Sequence, residues 1–145
     1  MIPKQSEGPK QRKQLPLKEG LFKLPSAVEE GHLMGSRCRS CQTTFFPKRH
    51  LCLNCGKSDM DEVPLSRRGR LHSFTIARMT PPGSIIEAPY ALGLVRLPEE
   101  VVVQSVLTQC DLDALEIDME VELVFEKVAE DEEGSDLIAF KFRPV

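Results

Sequence analysis

Two Cys-x-x-Cys pairs, Cys38/Cys41 and Cys52/Cys55, stand ten residues apart in the stretch "SRCRSCQTTFFPKRHLCLNCG" and use four of the chain's five cysteines. No other feature limits the fold as tightly. A Cys-x-x-Cys turn points two sulfurs the same way, and two such knuckles facing each other close a tetrahedron suited to Zn²⁺. Gly56 follows the second knuckle, where a left-handed residue is wanted, and Gln42 stands at the matching place in the first. The spacing leaves room for a hairpin between the pairs. Four thiolates fill the coordination shell and leave no position for water or substrate, so the ion is a staple and not a catalytic centre. The segment between the cysteines is too short and polar to form a core of its own, so metal binding supplies its folding energy. Iron in a rubredoxin-like electron carrier is the alternative, because the ligands are the same. Colour separates the two, since iron with four thiolates is red when oxidised. Neither pair is followed by His, so c-type haem attachment is not indicated.

The rest of the chain supports a reducing compartment. Its first twenty residues, "MIPKQSEGPKQRKQLPLKEG", contain no apolar signal region, and no apolar run approaches the roughly 20 residues of a membrane span. A cytosolic protein with no membrane partner is expected, and there paired cysteines bind metal more often than they form disulfides. With 145 residues, 41% of them hydrophobic, the chain can bury a modest core.

Residues 1–30 read as a flexible tail and short lead-in, residues 31–62 as the zinc ribbon, and residues 63–145 as a second unit. Ser26 and Glu29 fit a capping box, but Gly31 ends any helix within about one turn. From Gly69 the period becomes two. "GRLHSFTIARM" alternates Leu71, Ser73 and Thr75 with His72, Phe74 and Ile76. "YALGLVRL", "VVVQSVLTQ", "EVELVFEKV" and "LIAFKFRP" supply four more strands, with one helical turn in "CDLDALEIDM" and an acidic loop in "AEDEEGSD". Five short strands in this span predict a five-stranded OB-fold barrel, giving a mainly β chain with a rubredoxin-like ribbon in front.

Charge is unevenly spread. Between Arg37 and Arg70 eight Lys/Arg face three acids, whereas between Glu99 and Asp136 fourteen acids face Lys127 alone. Arg37, Arg39, Lys48, Arg49 and Lys57 offset the formal −2 of a zinc ion with four thiolates. Lys48, Arg49 and the Arg67, Arg68, Arg70 cluster are also candidates for a phosphate-binding or acidic-partner site. His32, His50 and His72 fit no arrangement with acids or nucleophiles, and Cys110 stands alone as a semi-buried residue. No phosphate loop, dinucleotide fingerprint or metalloprotease motif occurs, so no catalytic residues are assigned. A nucleic-acid-binding ribbon–OB module is the competing class. The acidic loop, the single tyrosine (Tyr90) and the net charge of −3 argue against it.

The order of these elements resembles the zinc-ribbon/OB-fold family of acyl-CoA-associated proteins, from about Gly31 to Val145. The resemblance is carried by the four cysteines, the Phe46-Pro47-Lys48-Arg49 segment between the knuckles, the "GRLHSFT" strand, and the Pro89-Tyr90 step into the next. The chain departs at Gln42, where the family has a knuckle glycine, and in its short lead-in. The resemblance implies an accessory subunit, not catalytic by itself, in a hetero-oligomer with a thiolase-fold protein. There it would help form or gate the CoA-ester site for thiolytic cleavage of a 3-oxoacyl-CoA. A benzoylsuccinyl-CoA-like substrate from aromatic-hydrocarbon degradation is the finer expectation.

Overall fold

The computed structural model describes residues 14–18, 20–25, 30–84 and 86–145. Ser26 and Glu29, read as a capping box, lie outside the described residues.

Among the described residues the fold consists of ten strands and one 3-10 turn. Five of the strands are those the period-two pattern predicts: β6 (Arg68–Ala77), β7 (Tyr90–Arg96), β8 (Val102–Leu107), β9 (Glu120–Glu130) and β10 (Asp136–Pro144). β6, β7 and β8 form an antiparallel meander. β8 then pairs in parallel with β10 at Leu107–Phe142, β10 with β9, and β9 with β6, which closes the barrel. The 3-10 turn, Leu112–Ala114, falls in the predicted helical turn and is capped by the Asp111 carboxylate, which accepts from the Asp113 N–H. Asp131 organises the acidic hairpin in the same way, its carboxylate accepting from the Glu133 and Ser135 N–H groups.

One expectation for β6 is corrected. Strict alternation sets Leu71 on the face opposite Phe74 and Ile76. The register instead slips between Leu71 and Ser73, with Leu71 opposite Val95 and Phe74 opposite Gly93. The extra residue is His72, which is exposed, while Leu71, Phe74 and Ile76 all reach the core. A bulge rotates the strand after it, and three apolar side chains turned inward outweigh one interrupted ladder step.

In front of the barrel, β3 (His32–Cys38) is the spine of the ribbon. It pairs with β2 (Phe22–Lys23), β4 (Thr44–Phe45) and β5 (Met60–Pro64). The lead-in carries two strands that the sequence reading did not assign, β2 and β1 (Gln14–Pro16), the latter parallel to the start of β10. Ribbon and barrel share one core. Phe22, Leu33 and Leu65 belong to the same buried cluster as Leu71, Val95, Val103, Leu123 and Phe142. Aromatic rings extend the contact: Phe22 lies 5.1 Å from Phe125 and Phe46 lies 6.0 Å from Phe140, centroid to centroid. The Phe46 of the inter-knuckle segment is thus a packing anchor against the barrel's last strand.

The junction between ribbon and barrel is held by polar contacts as well. The Ser66 N–H and hydroxyl both donate to Glu99 Oε2, at 2.9 and 2.8 Å, while Glu99 Oε1 is buried with no partner among the described residues. Arg67 donates to the carbonyls of Gly31 and Leu123. Glu99→Ala leaves two Ser66 donors without an acceptor and is expected to cost about 1–3 kcal/mol. A shift of the urea midpoint with unchanged zinc content checks this. An unchanged midpoint removes Glu99 from the junction's stability.

Candidate metal centre

The four cysteine sulfurs lie within 4.8 Å of one another. Cys38 Sγ is 3.6 Å from Cys55 Sγ, and Cys41 Sγ is 3.5 Å from Cys52 Sγ. At a Zn–S bond of about 2.3 Å a tetrahedron has edges of about 3.8 Å, so the cluster is close to the size the ion requires. Each pair of close sulfurs takes one member from each knuckle, so an ion among them crosslinks the two turns.

Backbone geometry sets up the knuckles. The Gln42 N–H donates to the Cys38 carbonyl and the Gly56 N–H to the Cys52 carbonyl, so each turn closes at the residue after its second cysteine. Both of those residues are left-handed, Gly56 at φ 78° and Gln42 at φ 66°. Glycine does this without strain. For glutamine the conformation costs about 1–2 kcal/mol, and its side-chain amide partly offsets this by donating to the Arg39 carbonyl at 2.9 Å.

The sulfurs are also prepared chemically. Thr43's hydroxyl, the Asn54 amide and the Thr43 backbone N–H draw the Cys41 thiol down to about 5. The Lys57 backbone N–H acts in the same sense on Cys55, but desolvation and the sulfurs of Cys38, Cys52 and Cys41 push that thiol up to about 11. Crowded sulfurs resist ionising together, and a divalent cation removes that resistance by taking all of them as thiolates. Thr43 and Asn54, which the sequence reading missed, have no signal in the sequence beyond their nearness to the cysteines. Cys110 sits apart, half-buried, with its thiol raised by burial and by Asp111.

The basic candidates are not brought into one patch. Lys48 and Arg49 line a hollow of about 480 Å³ beside the ribbon, together with His50, Asp61 and Glu62. Arg68 and Arg70 line another, of about 380 Å³, with Arg96, Asp118 and Glu120. Several of the charges are engaged within the chain. Lys48 pairs with Glu62 at 3.1 Å, Arg67 with Glu30 at 3.5 Å, and Arg68 with Glu120 and Glu122. Among the described residues Arg70 donates to the Asp118 carbonyl alone, and Arg96, missed in the sequence, stands directly opposite it across β6 and β7. Around the ribbon, Arg39 pairs with Asp61, Arg37 bonds Thr44 and Lys57 bonds Ser40.

Comparison with known proteins agrees with this architecture. Residues 25–61 match the ChsH2 rubredoxin-like zinc ribbon domain and residues 62–126 the ChsH2 C-terminal OB-fold domain. A DUF35 domain-containing scaffold protein of Methanothermobacter thermautotrophicus is 40% identical over 116 residues, covering 78% of this chain and 86% of that protein. The benzoylsuccinyl-CoA thiolase subunit BbsA of Thauera aromatica is 34% identical over 125 residues, covering 86% of this chain and 85% of its own. Among solved structures, the Ltp2-ChsH2(DUF35) aldolase superposes with a TM-score of 0.63 at 33% identity, over 78% of this chain and 84% of that one. No helix among the described residues is long and apolar enough to cross a membrane. With four sulfurs gathered at zinc-binding distance in a ribbon that leads into a closed five-stranded barrel, and with relatives alike over most of their length, the chain belongs to the ChsH2/DUF35 family of zinc-ribbon/OB-fold proteins.

Proposed function

We propose that this chain is a zinc-stapled accessory subunit of a thiolase-type enzyme and does not catalyse the reaction by itself. The likeness to the BbsA thiolase subunits over most of both chains carries the reading. The donor set supports it. An ion held by Cys38, Cys41, Cys52 and Cys55 has a full shell, so it fixes the ribbon's shape and offers no Lewis-acid site. Cys110 is a poor nucleophile with its thiol raised above the usual range. The nucleophilic cysteine and general base for thiolytic cleavage of a 3-oxoacyl-CoA, a benzoylsuccinyl-CoA-like ester being the finer candidate, would then lie on the partner chain. This chain would contribute rigid surface next to the CoA-ester site. Of the basic candidates, Arg49 and Arg70 keep guanidinium donors for an anion, whereas Arg67 and Arg68 are engaged in holding β6 to its neighbours.

Co-expression with a thiolase-type chain tests the reading. The expected result is a stable complex with thiolytic activity, and no turnover by the zinc-loaded accessory chain alone. Full thioester turnover by the pure isolated chain, or an active thiolase-type chain that ignores it, overturns the proposal.

A further inference from the structure

The second knuckle exposes two large aliphatic side chains. Leu51 is 52% and Leu53 65% exposed, and they flank Cys52, which is 1% exposed. Turning Cys52 inward to the sulfur cluster turns both neighbours outward. The loop that carries them is tied to the rest of the ribbon at three points. The Arg49 N–H donates to Ser36 Oγ at 2.9 Å, the Cys52 N–H to the Lys57 carbonyl, and the Asn54 amide to Thr43 Oγ1. An apolar pair on so constrained a loop loses little conformational freedom on association, which is the condition for an anchor. Its surroundings are polar. Arg49 and His50 precede Leu51 in the chain and line the 480 Å³ hollow. The acids there are partly engaged, Glu62 with Lys48 and Asp61 with Arg39, while the Arg49 guanidinium has no ion-pair partner among the described residues. An apolar knob beside an unpaired cation fits a depression with a carboxylate on its rim.

We propose that this loop docks the thiolase-type partner, with Leu51 and Leu53 entering an apolar depression and Arg49 meeting a carboxylate at its edge. The assignment rests on the accessory-subunit reading above. The test is titration calorimetry between the full zinc-loaded chain and the thiolase-type chain with which it co-purifies, at low and high salt. Leu51→Ser combined with Leu53→Ser is expected to weaken binding roughly tenfold or more with the salt dependence unchanged. Arg49→Glu is expected to weaken it mainly at low salt and to flatten the dependence, and Arg49→Lys to restore most of the loss. Ile117→Ser, at an exposed apolar residue elsewhere, should leave affinity as it is. Zinc content and melting temperature, unchanged in every variant, exclude misfolding. Wild-type affinity in the double leucine variant overturns the docking loop and leaves the subunit reading standing. Absence of any complex with the wild-type chain overturns both. Self-association of the isolated chain that vanishes in the leucine variant, with partner binding intact, makes the occupant a second copy and also overturns the proposal.

Discussion

Cys52→Ser is expected to release the metal and unfold the ribbon while the barrel's strands stay paired. Cys52 is held through both its sulfur and its backbone. Its sulfur lies 3.5 Å from Cys41 Sγ and accepts from the Cys55 N–H, and its own N–H and carbonyl close the second turn. Serine cannot supply the thiolate, and a three-ligand site opens to water. What holds the knuckles without the ion is slight: β4 has two residues, and the residues beyond Cys52 up to Ser58 are exposed. Structural zinc contributes about 10–16 kcal/mol of apparent binding energy in small zinc-folded units, far more than those contacts can replace. The barrel has its own supports in Leu71, Val95, Val103, Val121 and Leu123, all buried. Metal analysis should find one zinc per wild-type chain and little in the variant. Hydrogen exchange should rise sharply across Ser36–Cys38 and Met60–Glu62, stay slow in β7 and β8, and change least at Leu33, which the shared core holds. A variant that keeps its zinc and its protection in the ribbon would show that the sulfurs do not act as one ligand set. Cys110→Ser, outside the cluster, serves as the unaffected control.

Why was so much of this legible in the sequence? The metal centre is local: two turns and the spacing between them specify it, and spacing is what a sequence records. The barrel strands were legible because their apolar residues recur at a period of two, as Val121, Leu123 and Phe125 do in β9, with Glu120, Glu122 and Glu126 among the residues between and around them. Three things were hidden for a common reason. The bulge at His72, the pairing of Gln14–Pro16 with β10, and the burial of Phe22 against Phe125 and Phe140 are all decided by what the distant partner offers. No local period carries that information. The arginines make the same point with charge. Arg67, Arg68 and Arg70 look alike in "SRRGR", yet the first reaches the backbone of Gly31 and Leu123, the second pairs with β9 carboxylates, and the third faces Arg96. A sequence shows the charge but not what it meets. Gln42 is the converse case: the sequence marks it as a departure, and the structure supplies the compensation in its bond to Arg39.

Phe142→Ala is the substitution expected to damage the barrel most. Phe142 is fully buried at 0% exposure and sits where the barrel closes, opposite Leu107 on β8 and Leu123 on β9. Its carbonyl accepts from the Thr108 N–H at 2.9 Å, so the residue links two strands by backbone as well as by packing. Truncation to alanine leaves a cavity that a closed barrel collapses around poorly, and a cost of about 3–5 kcal/mol follows. Domains of this size hold about 5–15 kcal/mol in all, so the loss is a large fraction of the total. Phe142→Leu refills most of the space and should recover much of the difference. The neighbouring Phe140 provides the contrast. It is half-buried and stacks edge-on against Phe22 and Phe46, so Phe140→Ala should cost less and act chiefly on the ribbon's seat. Urea denaturation with and without chelator separates these effects. Phe142→Ala should lower the barrel transition whether or not zinc is bound, and Phe140→Ala should lower it mainly when the ribbon is folded. Equal shifts for both variants in both conditions would mean that ribbon and barrel melt as one unit, and the shared cluster of Phe22, Leu33 and Leu65 with the barrel core would then couple them more strongly than the zinc separates them.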